Sequence, residues 1–300
     1  MIRNIFLLVL SALAAWSCTA TDDEIAQGPA TDTRPAGAQR SLSITIAPKP
    51  AFTEVAVTLP DGKNSPTTRA VQTEQGTQWE QGDVVWLSGV IQDSYGNQDT
   101  FYSALKYSGT VWRHLTEAEA AEMGLNNDNS FNRTLILYDG YAVVTISGYY
   151  VGNGKPENGL ITIPAPGSDA AVPVMLAWGE NTGDAYKFTF TYRCSRLRIP
   201  AGCGLQMTNY GYCASYRLSD SFLEQTYATD LQLPAADKDR DVFLLPVAEG
   251  NDTPVPVTLT RNGSAVWTFT PEPAGSVSGY YGRSYTLPEV GSGGVTPGDL

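Results

Sequence analysis

The sequence predicts an all-β protein of two β-sandwich domains, with one short helix in the N-terminal domain. Three observations carry that expectation. The 29 Gly, 19 Pro and 16 Tyr residues, together with many Thr and Val, favour strands and turns over helices. Short stretches of alternating apolar and polar residues recur at regular spacing. At 300 residues the chain has room for about two domains of roughly 150 residues each.

Arg3 leads the apolar run from Ile5 to Trp16, which reads as a secretory signal over residues 1–17. The run is too short for a comfortable membrane span. It ends in "SCTATDDE". Small residues closed by Cys18 are similar to a bacterial lipoprotein signal, in which Cys18 becomes the lipidated first residue. Ala15 and the bulky Trp16 depart from the usual pattern, which has Leu three residues before the cysteine. The acids behind Cys18 are similar to a surface-export signal of Bacteroidetes, a phylum lax at those positions. Residues 18–40, rich in Thr, Ala, Asp, Gly and Pro, read as a tether.

The N-terminal domain is expected over residues 41–168. "SLSITIAP" (41–48) alternates through Leu42, Ile44 and Ile46, and "TEVAVTLP" (53–60) through Val55, Val57 and Leu59. The loop "DGKNSPTTRA" presents Arg69. Trp79 precedes a Gly-Asp turn and a strand through Val85 and Leu87. "TFYSALKYSGTVWRHL" reads as a hairpin turning at Ser108-Gly109. "LTEAEAAEMG" is the helix, capped by Thr116, boxed by Glu119 and ended by Gly124. "RTLILYDGYAVVTISGYY" reads as a strand pair around Asp139-Gly140. A loop, "VGNGKPENG", leads to "LITIP", and "APGSDAAVP" marks a soft boundary.

The C-terminal domain is expected over residues 169–288, from "YKFTFTYRCSRLRIP" through "YCASYRLS", "DVFLLPV", "PVPVTLTRNG" and "AVWTFTP" to "GRSYTLP". Residues 289–300, Gly, Ser and Pro without alternation, read as a tail.

The net charge of −12 argues against nucleic acid and anionic membrane surfaces as partners. His114 is the only histidine, and it sits at a strand end with no G-x-S-x-G elbow elsewhere. "GNGKP" lacks the spacing of a phosphate loop. "DKDRD" (237–241) resembles the start of a calcium loop, but Val242 and Ala248 stand where glycine and glutamate belong. Catalytic residues, metal ligands and cofactors are therefore not expected. Cys194, Cys203 and Cys213, nine and ten residues apart, match no metal spacing, and read either as buried thiols or as one bridge plus one thiol. Tyr149-Tyr150 and Tyr280-Tyr281 are candidates for a sugar platform or for sheet-surface packing.

One order of motifs stands out: the lipoprotein signal, the tether, "NSPTTRA", "WEQGDVVWL" (79–87) and "YKFTFTYRCSRLRI" (186–199). In that order the chain resembles the fimbrillin family of Bacteroidetes, subunits of lipoprotein-derived surface pili. Many relatives carry a histidine near Arg193 or Cys194, where this chain has none. The resemblance implies two transthyretin-like, Greek-key β-sandwich domains without catalysis. It also implies a precursor that is exported to the outer membrane, held there by its lipid anchor, and cut by an arginine-specific protease.

Carried onto this chain, the cut falls after Arg69 and before Ala70, releasing the strand of Leu42, Ile44 and Ile46. Other pilin subunits then fill the groove by strand exchange. Arg34 and Arg40 are rival sites, but cutting there leaves both strands attached. The tail lacks the apolar alternation of a donor strand, which implies a tip or accessory subunit that meets a host or bacterial surface ligand. The alternative is a lipid-anchored glycan-binding protein.

Overall fold

The computed structural model describes residues 39–55, 57, 78–126, 128–183, 185–225, 229–245, 255–270 and 281–287. At the centre lies β4 (Val84–Gln92), whose "VVWL" run is buried on both faces. Val85 and Leu87 enter one core, Val84 and Trp86 another. A strand covered on both sides needs such an unbroken apolar run. It pairs antiparallel with β5 (Gln98–Tyr107) and β8 (Ala142–Tyr150). Gly89 of β4 faces Phe101, and a Cβ there would come within 2.6 Å of the Phe101 ring. The two strands close over that ring only because residue 89 has no side chain.

The expected hairpin is present, with β5 returning as β6 (Trp112–His114). Beyond β8 come β10 (Met175–Asn181), β11 (Ala185–Phe188) and β2 (Ser43–Ile46), giving the order β2-β11-β10-β8-β4-β5-β6. Strand β12 (Thr191–Tyr192) also pairs with β10.

Helix α1 (Glu117–Glu122) has the predicted capping box. Thr116 Oγ1 accepts from the Glu119 amide at 3.2 Å, and Glu119 Oε2 accepts from the Thr116 amide at 2.9 Å. Glu119 also takes two hydrogen bonds from Arg113, at 2.7 and 2.8 Å, and one from Lys106 at 2.9 Å. One carboxylate thus caps the helix and ties it to the β5–β6 hairpin. Arg113 above all holds the Glu119 carboxyl well below its usual 4.5.

Because the folded pKa lies below the unfolded one, Glu119 contributes stability that is full above about pH 4.5 and fades as the pH falls further. Glu119→Gln is expected to lower stability at pH 7 by on the order of 1–2 kcal/mol. It should also flatten the acid limb, read by urea denaturation at pH 7 and pH 4. An acid limb identical to that of the parent would refute the assignment.

The C-terminal part is a sandwich. One sheet runs β18 (Arg240–Leu244), β13 (Ser195–Ile199), β21 (Arg283–Thr286), β3 (Thr53–Val55). The other runs β17 (Thr229–Leu233), β14 (Gly204–Tyr210), β19 (Val257–Arg261), β20 (Ser264–Phe269). Leu197, Ile199 and Val242 from the first meet Leu205, Met207 and Leu259 from the second in a shared third core, the arrangement of two sheets packed face to face. A three-stranded sheet orders β16 (Phe222–Gln225), β15 (Cys213–Arg217) and β9 (Leu160–Thr162), and a two-stranded one pairs β1 (Gln39–Ser41) with β7 (Ile136–Tyr138).

Three sequence expectations are modified. Asp139-Gly140 turns the chain without making a hairpin, because β7 pairs with β1 while β8 joins β4 and β10. Strands from both sides of residue 168 share sheets: β8 neighbours β10, and β9 neighbours β15. The Gly/Pro composition of 165–173 marks a connection, but Met175 and Ala177 beyond it still enter the first core. The expected tether ends two residues early, since Gln39 and Arg40 belong to β1. Cys194, Cys203 and Cys213 are buried free thiols, so no bridge forms among them.

Candidate functional site

Residues 39–55 and 57 form a strap along sheet edges. The strap supplies β1, then β2 at the edge of the large sheet, then β3 at the edge of the C-terminal sheet. Both β2 and β3 lie parallel to their neighbours, β11 and β21. The Leu42 amide donates to the Leu135 carbonyl at 2.9 Å, Ala47 to Phe188 at 2.9 Å, and Thr53 to Gly282 at 2.7 Å. Leu42 and Ile44 are buried in the first core, and Ile46 is half-buried against it. Val57 is buried in the third core, with Val55 packed beside it. Of the predicted site residues, Leu42, Ile44 and Ile46 therefore share one buried face; Cys18, Leu59, Arg69 and Ala70 lie outside the described residues.

Between β2 and β3 the sequence "APKPAFTE" (47–54) holds the residues that pattern reading passes over. Two prolines keep the strand extended and deny it a regular ladder. The Trp79 indole N–H donates to the Ala47 carbonyl at 2.9 Å, and the Tyr192 hydroxyl to the Pro50 carbonyl at 2.7 Å. Lys49 turns inward, with its ammonium 2.9 Å from Asp83 Oδ2 and both side chains only 4% exposed. The ammonium also lies 4.8 Å from the Trp79 ring centre and 4.7 Å from that of Tyr150. Phe52 stacks on Tyr192 at 3.7 Å. Glu54 Oε1 accepts from Arg196 at 2.8 Å.

The receiving groups are held by the body. Asp83 accepts from the Tyr150 hydroxyl at 2.8 Å, the Glu80 amide at 2.8 Å and Asn153 at 3.4 Å. Burial, and then the Asp83 carboxylate, push the Tyr150 phenol up, so it stays a donor. Arg196 donates to Ser284 Oγ at 3.0 Å and lies 3.7 Å from Asp241. Burial raises the Asp241 carboxyl, and Arg196 and Arg198 oppose that shift.

The other sequence candidates have structural partners. Asp239 of "DKDRD" accepts from the Ala201 amide at 2.8 Å, and Asp241 faces Arg196 and Arg198. Among the described residues no three His, Cys, Asp or Glu side chains converge as metal ligands. Burial lowers the pKa of His114, with Arg133 adding to the effect. Burial pushes Cys194 up to about 12 and Cys213 up to about 11, which keeps both thiols protonated and inert. Tyr150 is buried against Asp83 and Tyr149 packs on Tyr216, so this tyrosine pair forms no open platform. Tyr281 lies under Arg193, while Tyr280 is outside the described residues.

No protein-family model and no curated protein matches the chain. The solved structures the chain is similar to include three named "putative cell adhesion protein". The one from Bacteroides uniformis is 13% identical, with 69% of this chain and 85% of that chain covered and a TM-score of 0.37. The one from Bacteroides fragilis is 12% identical over 82% and 91%, with a TM-score of 0.34. The one from Bacteroides thetaiotaomicron is 12% identical over 84% and 92%, with a TM-score of 0.32. Likeness at this level carries no argument about what the chain does.

Proposed function

We propose that the chain is a non-enzymatic subunit of a cell-surface pilus, exported as a lipoprotein on Cys18 and assembled by strand exchange after cleavage at Arg69. One observation supports this above the rest: residues 39–55 and 57 occupy only sheet edges yet bury Leu42, Ile44, Phe52 and Val57. An edge strand can leave without opening the interior of a sheet, and its departure uncovers an apolar cleft with an unpaired backbone edge. That is the surface a strand from another subunit completes. Cleavage after Arg40 would leave β2 and β3 attached, which supports Arg69 over Arg40 in this reading. A tip or accessory position, with an adhesive surface ligand, belongs to the same proposal.

The test is treatment of the full chain with an arginine-specific protease, followed by mass spectrometry and gel filtration with partner subunits. The expected result is loss of residues up to Arg69 and formation of heat-resistant oligomers, both abolished in Arg69→Ala. A cleaved chain that stays monomeric with partners present refutes the reading.

A further inference from the structure

We infer that the cleft under the strap reads charge as well as apolarity, and accepts from another subunit only an extended segment bearing a cation, an aromatic ring three residues on and a carboxylate two residues beyond that. This rests on the proposal that the strap leaves. The pattern is that of Lys49, Phe52 and Glu54, whose receptors are Asp83, Tyr192 and Arg196.

Both charged receptors are built without the strap. Asp83 is oriented by Tyr150, Glu80 and Asn153, and Arg196 by Ser284 and Asp241. When Lys49 departs, the fixed Asp83 carboxylate remains beside the place the ammonium held over the rings of Trp79 and Tyr150, where a cation is favoured by both the charge and the ring faces. When Glu54 departs, a guanidinium remains in the C-terminal sheet. The two receptors have opposite sign and lie at opposite ends of the "KPAFTE" stretch.

Apolar alternation alone cannot fix how a strand enters. A period of two lets a segment slide by two residues and still bury the same face. The hydrogen bonds from Trp79 and Tyr192 to the carbonyls of Ala47 and Pro50 use only the backbone of the strap and are blind to its sequence. The charges remove the ambiguity. A segment shifted by two residues, or entered backwards, would bury Asp83 without a cation or set a cation against Arg196, and burial of an unpaired or like charge is strongly penalised. No other stretch of this chain has a Lys or Arg followed by an aromatic at the third position and an acid at the fifth. Cleavage removes the one that does, so the donor is a different subunit.

The test uses the full chain cleaved by the arginine-specific protease and fluorescein-labelled peptides of residues 39–57. The parent peptide should rebind. A Lys49→Gln peptide should bind about a hundredfold more weakly, because Asp83 is then buried without a cation. A Glu54→Gln peptide should bind about tenfold more weakly, since Arg196 keeps Asp241 nearby. A peptide with Lys49→Glu and Glu54→Lys together should not bind. Equal affinities for all four peptides overturn the charge reading and leave strand release standing. Failure of the parent peptide to rebind, or a strap that stays on the cleaved chain, overturns release itself and this inference with it.

Discussion

The Asp83→Ala chain is expected to lose about 3–5 kcal/mol of stability, because it strands the Lys49 ammonium in a site closed to water. With both side chains 4% exposed, little solvent is present to replace the lost carboxylate. The double variant Lys49→Met with Asp83→Leu is expected to recover part of the loss, since a buried pair exchanged for apolar groups of similar volume is often near neutral. Recovery stays incomplete by about 1–3 kcal/mol, because the Tyr150 hydroxyl and the Glu80 amide lose the acceptor they share. Urea denaturation of Lys49→Met, Asp83→Leu and the double variant forms the cycle. A cost below about 1 kcal/mol for Asp83→Ala, the range of solvated pairs, would rule out a closed site. The Arg196 pair is the informative contrast: Glu54 is 24% exposed and Asp241 35%, so water softens its loss.

Phe52→Ala is the second large effect, about 3–5 kcal/mol. The ring stacks on Tyr192 at 3.7 Å and on Phe243 at 6.0 Å, and the Arg196 guanidinium covers it at 4.6 Å. Its removal opens a cavity lined by an aromatic ring and a charge, which neighbours in two sheets cannot collapse to fill. The midpoint in urea should fall with the slope unchanged. Trp178→Ala, on a residue 68% exposed, should change the stability by no more than about 0.5 kcal/mol. If the two variants behave alike, the strap is not packed as described. Phe52 and Lys49 lie three residues apart in one strap, so combining Phe52→Ala with Asp83→Ala should give less than the sum.

Local patterns in the sequence carry through where the structure is local. The capping box of Thr116 and Glu119, the turn at Ser108-Gly109, and the alternation of Leu42, Ile44 and Ile46 all lie within a few residues of their partners or on one strand face. The all-β class follows from the same kind of signal. Parallel edge pairing leaves no such mark: β2 meets β11 and β3 meets β21 across most of the chain. Glu54 and Arg196 are 142 residues apart. Nothing near Lys49 shows that it turns inward, because a lysine between two prolines has the composition of an exposed loop. Strands β14 and β17 were equally hidden, since a register shift between Met207 and Tyr210 breaks the alternation of "GLQMTNY", and "TDLQL" is only five residues long. Single residues of the strap were thus visible, but the cleft that holds it was not.

The parallel seating of the strap has a consequence for the order of folding. Residues 43–46 and 53–55 are made early, yet they pair with residues 185–188 and 283–285, which are made late. Trp79, Asp83 and β7 are made in the interval, but the ladder partners of β2 and β3 are not, and closing so long a loop is slow. It therefore docks last, onto sheets already assembled, and every newly made molecule passes through a stage in which its apolar edge is open. A chaperone that holds that edge would protect the chain until the strap seats.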